Sequence, residues 1–164
     1  MYSMPKSPAV ILVIDDDALT LTGVATSLNA SGYECYGARD TEAAMKAARR
    51  MKLDLIICDV NIGGESGLDL CRELQQQNDN LDTPLLFVSS HQAPDIIRRT
   101  HDAGGVYYLR KPFDPEVLIE LVGKALWMPH LVKSRMNRIE PARPLRPAGL
   151  GRSRTEATTP EFMR

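Results

Sequence analysis

Residues 9–17 read Ala-Val-Ile-Leu-Val-Ile-Asp-Asp-Asp, and this stretch decides the fold. The run Ala9–Ile14 is apolar throughout, with no polar residue in alternation, so as a strand it is buried on both faces, as a parallel sheet covered by helices requires. It stops on three carboxylates: Asp15, Asp16 and Asp17. A sheet built from such strands delivers its charge at the carboxyl edge, which is where open parallel sheets bind ligands.

Working outward, four more apolar runs follow, at Tyr33–Gly37, Leu53–Cys58, Leu85–Ser89 and Val106–Leu109. Between and after them, apolar residues recur at three- and four-residue spacing in Leu19–Asn29, Thr41–Met51, Gly67–Gln76, Pro94–Ala103 and Pro115–Leu126. Five βα units in succession predict an α/β protein with a doubly wound, five-stranded parallel sheet and helices on both faces. The punctuation agrees. Asn29-Ala-Ser-Gly32 ends the first helix, Asp40 and Thr41 can cap the second, Asp17 can cap the first, and Ala103-Gly104-Gly105 stops the fourth.

The chain has 164 residues, 43% hydrophobic and 25% charged, enough for one soluble core with an appendage. We divide it into an N-terminal extension at 1–7, a body at 8–127 and a tail at 128–164. The net charge of -1 hides an asymmetry: residues 1–127 carry 12 Lys/Arg against 18 Asp/Glu, and 128–164 carry 8 against 3. Five prolines and few apolar residues in the tail predict flexibility, with His130–Ile139 as the one stretch able to form a short basic helix. Nucleic acid is not an expected partner, any attraction from this tail being non-specific and salt-sensitive. The Ala9–Ile14 run is too short to span a membrane and leads into charge, which excludes membrane insertion there and predicts a cytoplasmic protein. Cys35, Cys58 and Cys71 are odd in number and set mostly among apolar neighbours, so reduced, buried thiols are expected.

The ends of the runs carry the chemistry. The first strand leads into the aspartates, the third into Asp59, the fourth into Ser89 and Ser90, and the fifth into Lys111. Carboxylates gathered at one sheet edge repel by about 4 kcal/mol per pair at about 4 Å with an effective dielectric near 20. A cation is therefore required, and oxygen donors suit Mg²⁺ rather than zinc. Lys111 supplies a second positive charge able to bind a phosphoryl oxygen.

Taken together, Val-Ile-Asp15-Asp16-Asp17, Ile-Ile-Cys-Asp59-Val-Asn61, Phe-Val-Ser89-Ser90 and Tyr108-Leu-Arg-Lys111-Pro112-Phe113 resemble the receiver domains of two-component response regulators, of the chemotaxis-regulator type, over about residues 8–127. The resemblance implies the flavodoxin-like strand order 2-1-3-4-5. It also implies roles: Asp59 as phosphoacceptor, Asp15 and Asp16 with Asp59 as Mg²⁺ ligands, and the Asn61 backbone carbonyl as a further ligand. Ser89 and Lys111 would contact the phosphoryl group, and Ser89 and Tyr108 would switch with it. A histidine kinase or histidine phosphotransfer protein is the implied donor. The implied recipient is a downstream protein or a second copy, docking on the face of the fourth helix, fifth strand and fifth helix. No turnover of external substrate is implied beyond self-phosphorylation and autodephosphorylation. With about 37 residues after the body, a stand-alone receiver is expected.

The sequence departs from the pattern after Asp59, where Ile62-Gly63 replaces the usual Met-Pro, which predicts a looser loop with no catalytic group lost. His91 and Asn61 occupy positions that tune dephosphorylation in similar domains. Two other readings fit part of the pattern. A phosphorylation-independent interaction module would share the fold, but here the acceptor, metal and lysine positions are all filled. A haloacid-dehalogenase-type phosphatase would use Asp15 as nucleophile, but Leu19 breaks its first motif and no acidic pair follows Lys111 on a further strand.

Overall fold

A computed structural model describes the backbone of residues 7–138 and the side chains of residues 7–127; residues 1–6 and 139–164, with most of the expected extension and tail, lie outside the described residues. The described residues up to His130 belong to one compact unit, and from Leu131 onward only helical backbone to Arg138 is described.

The described residues form β1 (Val10–Ile14), α1 (Ala18–Ala30), β2 (Glu34–Ala38), α2 (Thr41–Arg50), β3 (Leu55–Asp59), β4 (Asn61–Ile62), β5 (Glu65–Ser66), α3 (Gly67–Gln75), β6 (Leu85–Ser89), α4 (Ile96–Asp102), β7 (Gly105–Arg110) and α5 (Pro115–Arg138). The main sheet is parallel with order β2-β1-β3-β6-β7, which is the expected 2-1-3-4-5 of its five strands. The small strands β4 and β5 pair only with each other, antiparallel.

Because successive strand side chains point to opposite faces, each central strand feeds two cores. Leu12, Ile14, Ile56, Cys58, Leu85 and Phe87 pack with Ala44 and Ala48 of α2, Leu70, Cys71 and Leu74 of α3, and Ile96 of α4. Ile11, Val13, Leu55, Ile57, Leu86 and Val88 pack with Val24 and Leu28 of α1 and Leu118, Val122 and Ala125 of α5. Burial of each large side chain contributes about 1.5–3 kcal/mol, so the continuous apolar reading of β1, β3 and β6 becomes the two-sided core that fixes the sheet edge in place.

Among the boundaries that shift from expectation, two are set by context beyond the local sequence. The third run was expected from Leu53, but β3 starts at Leu55. The Leu53 N–H donates to Asn80 Oδ1 (2.8 Å) and its carbonyl accepts from Thr83 Oγ1 (2.9 Å), so side chains take the groups a ladder would use. The fifth helix was expected to end at Leu126, yet α5 continues to Arg138 through Pro129, which gives up one intrahelical hydrogen bond. It thereby covers the described part of the tail's proposed basic helix. Among the described residues no helix is long and apolar enough to cross a membrane.

Cys58 and Cys71 are buried as expected, whereas Cys35 on the edge strand β2 is half-buried. Burial still pushes the Cys35 thiol up to about 11 from 9.0. Near neutral pH its thiolate fraction is then about a hundredfold below that of an ordinary thiol. Native alkylation of Cys35 at pH 7.5, followed by peptide mass, is expected to run about a hundredfold slower than in urea; equal rates would refute the burial account.

Candidate phosphoacceptor site

Each site residue sits where a strand runs out. Asp15 follows β1 directly, and its Oδ1 accepts the Asp17 N–H (2.9 Å). Asp59 ends β3, and its Oδ1 accepts the Asn61 N–H (3.0 Å). In both cases a carboxylate binds the backbone two residues on, the Asx-type geometry that a chain adopts as it turns out of a strand. Asp17 caps α1 as expected, accepting the Thr20 hydroxyl (2.6 Å) and the N–H groups of Thr20 and Leu19. The Thr20 hydroxyl, then its backbone N–H, holds the Asp17 carboxyl below its usual value. Asp17 is thus occupied with the helix.

Asp15 is 1% exposed and Asp59 7%. Burying two carboxylates side by side is costly without a partner, and Lys111 provides it. Its ammonium donates to Asp15 Oδ2 (2.5 Å) and Asp59 Oδ2 (2.7 Å). The lysine is aimed by the end of β7, where its N–H donates to the Ser89 carbonyl (2.9 Å). Burial alone lowers the lysine pKa, but the bonds and charges of Asp15 and Asp59 outweigh it, leaving the ammonium above its ordinary value. Lys111 is therefore cationic throughout the neutral range.

Asp16 is exposed, and its Oδ2 accepts the Gly63 N–H (3.1 Å). One oxygen from each of Asp15, Asp16 and Asp59 lies within 4.8 Å of the others. Three negative charges face the single ammonium of Lys111, so an electrostatic deficit remains. An all-oxygen donor set with that deficit fits a small, hard divalent cation such as Mg²⁺. Ser89 is 1% exposed, and its Oγ accepts the His91 N–H (2.9 Å). Asp15, Asp16, Asp59, Asn61, Ser89 and Lys111 all line one cavity of about 380 Å³. His91 borders the same cavity. Tyr108 does not; it stands half-buried on β7 against the core beneath α4, opposite Phe87.

The loop after Asp59 is where sequence reasoning fell short. Residues 61–66 form a hairpin that the sequence reading did not anticipate, with Asn61 opposite Ser66 and Ile62 opposite Glu65. Gly63 and Gly64 have φ of +56° and +90°, and the Gly64 N–H donates to Asn61 Oδ1 (2.9 Å). Two positive-φ residues between paired strands make the primed turn that favours hairpins, and Gly-Gly was its available signal.

Comparison with known proteins agrees with this geometry. Over 109 residues the chain is 32% identical to the phosphate regulon transcriptional regulatory protein PhoB of Pseudomonas aeruginosa, covering 66% of this chain and 48% of that one. Over 120 residues it is 32% identical to the transcriptional regulatory protein PdtaR of Mycobacterium tuberculosis, covering 73% and 57%. The chain thus spans about half the length of these curated relatives. The solved structure of the chemotaxis response regulator CheY4 of Vibrio cholerae superposes with a TM-score of 0.67 at 28% identity, covering 73% of this chain and 99% of that one. Residues 11–123 match the response regulator receiver domain. With the sheet order, the buried acidic pair and the lysine bridging it all in place, the chain belongs to the response regulator receiver family.

Proposed function

We propose that this domain takes a phosphoryl group onto Asp59 from a phosphohistidine on a histidine kinase or phosphotransfer protein, and passes the signal on by a change of shape. The observation that carries the reading is the Lys111 ammonium shared between Asp15 and Asp59, with Asp16 within 4.8 Å of both carboxylates. An Asp59 oxygen attacks phosphorus, the phosphorus–nitrogen bond of the donor breaks, and the imidazole leaves with the electron pair and takes up a proton. The product is an acyl phosphate.

The protein's part is positioning and electrostatics. The Asn61 N–H holds one Asp59 oxygen, fixing the carboxylate plane. Lys111 lies against the other and would follow the charge onto the phosphoryl oxygens. The Ser89 hydroxyl, already bound by the His91 N–H, keeps its own proton to donate to a phosphoryl oxygen. Asp15, Asp16, Asp59 and the Asn61 carbonyl would hold Mg²⁺, which when bound supplies the charge neutralisation that Lys111 alone does not. On this reading the domain works in the cytoplasm and turns over no external substrate.

The test is incubation of the purified chain with Mg²⁺ and a small phosphodonor, followed by intact and peptide mass measurement. Gain of one HPO₃ on Asp59 is expected. An adduct on Asp15 would favour the phosphatase reading, and none at all would favour an interaction module.

The output follows from bonds that exist only in the phosphorylated state and so shift a two-state equilibrium. Movement of Ser89 toward the phosphoryl group and of Tyr108 inward would reshape the face of α4, β7 and α5, where a downstream protein or a second copy docks. Tyr108→Ala is expected to remove phosphorylation-dependent partner binding and to leave the mass adduct intact. Binding undiminished in that variant would dismiss Tyr108 as the switch.

A further inference from the structure

Each of the three site carboxylates has one oxygen held by a backbone N–H, but the holders differ. Asp15 and Asp59 are bound by the residue two positions along their own loops, so the turn that places them also aims them. Asp16 is exposed, and its anchor is Gly63, 47 positions away at the tip of the hairpin. Among the described residues, Lys111 bonds the carboxylates of Asp15 and Asp59 and not that of Asp16. The one outer carboxylate of the site therefore depends for its aim on a remote amide.

That amide is available because of the turn. In a two-residue hairpin the ladder joins the flanking residues, here Ile62 and Glu65, so the N–H of the first turn residue is free of the ladder. A φ of +56° turns it toward Asp16. Asn61 Oδ1 closes the same turn by accepting the Gly64 N–H, which ties the clasp to the loop that leaves Asp59. Glycine takes this φ without cost, asparagine tolerates it, and proline forbids it and lacks the N–H.

We propose that Gly63 is a positioning residue for the divalent cation, its backbone amide holding Asp16 in the orientation that completes the metal site. The inference rests on the reading of the acidic cluster as a Mg²⁺ site, and it adds that the hairpin replaces local chain geometry as the support of the third carboxylate. Partners outside the ligand set commonly change metal affinity by 10–100-fold. One backbone bond to an exposed carboxylate belongs at the lower end.

The test is calorimetric titration of the full chain with MgCl₂, comparing wild type, Gly63→Pro and Gly63→Asn, with a thermal melt of each metal-free protein. The Mg²⁺ dissociation constant is expected to rise about tenfold in Gly63→Pro and to stay within about twofold of wild type in Gly63→Asn, which keeps both the φ and the donor. Affinity unchanged in the proline variant, or lost equally in both variants, overturns the role of the amide while leaving the Mg²⁺ site standing. Failure of wild type to bind Mg²⁺ sinks the site reading and the inference together. Should Gly63→Pro not fold, amide exchange decides: the Gly63 N–H is expected to be protected in metal-free wild type and to exchange freely in Asp16→Ala, and equal exchange in the two overturns the clasp.

Discussion

Asp59→Asn is expected to abolish phosphoryl uptake completely while leaving the fold within about 1 kcal/mol of wild type. Asparagine keeps the shape, and its oxygen still accepts the Asn61 N–H that binds Asp59 Oδ1. What changes is charge. At an effective dielectric near 20, the attraction to Lys111 at 2.7 Å is about 6 kcal/mol, and the repulsions from Asp15 and Asp16 within 4.8 Å are about 3.5 kcal/mol each. Removing one attraction and two repulsions of this size nearly cancels. The chemistry has no such compensation, because the amide oxygen is too weak a nucleophile to accept phosphorus and carries no charge to gather. Intact mass after exposure to phosphodonor and Mg²⁺, read beside a thermal melt, checks both halves. A persisting adduct would move the acceptor elsewhere, and a collapse of the melt would make Asp59 a structural residue first.

That near-cancellation also shows how the site was legible in the sequence. The apolar runs had to be strands buried on both faces, and a strand so buried can end in charge only where the sheet meets solvent, which puts Asp15, Asp59, Ser89 and Lys111 on one edge from the sequence alone. Register then did the rest: pairing of Ile14 with Cys58 and of Asp59 with Val88 brings the strand ends level. The features that escaped are those in which a backbone group acts at long range. Nothing in Gly63-Gly64 announces that one amide will reach Asp16, because the partner lies 47 residues away and the donor has no side chain. The late start of β3 escaped for a similar reason, since Asn80 and Thr83 compete for the Leu53 backbone from a loop whose position only the folded chain defines. Length of α5 was misread because Pro129 is a stop signal by local rules and was overridden.

A second large effect is expected at Gly67, and a paired control fixes its cause. Gly67 opens α3 directly behind the hairpin, and its N–H donates to the Val60 carbonyl (2.8 Å), drawing the helix start against the end of β3. A Cβ there would lie 1.9 Å from the Asp59 carbonyl oxygen and 3.0 Å from Cys58 Sγ. The first neighbour is backbone of a central strand and cannot yield, so Gly67→Ala must push α3 or the Asp59 peptide out of place. Overpacking penalties of this kind reach about 3 kcal/mol, or on the order of 10 °C in Tm for a domain of this size. Phosphoryl uptake should fall with it, since the displaced peptide is that of the proposed acceptor. Gly23 in α1 offers the opposite case: a Cβ there meets nothing within 4 Å, so Gly23→Ala is expected to stabilise by about 0.5–1 kcal/mol through helix propensity. Urea unfolding of both variants decides the matter. The same methyl group should lower stability at one glycine and raise it at the other, and matching signs would refute the claim that close approach to the Asp59 backbone of β3 is what reserves position 67 for glycine.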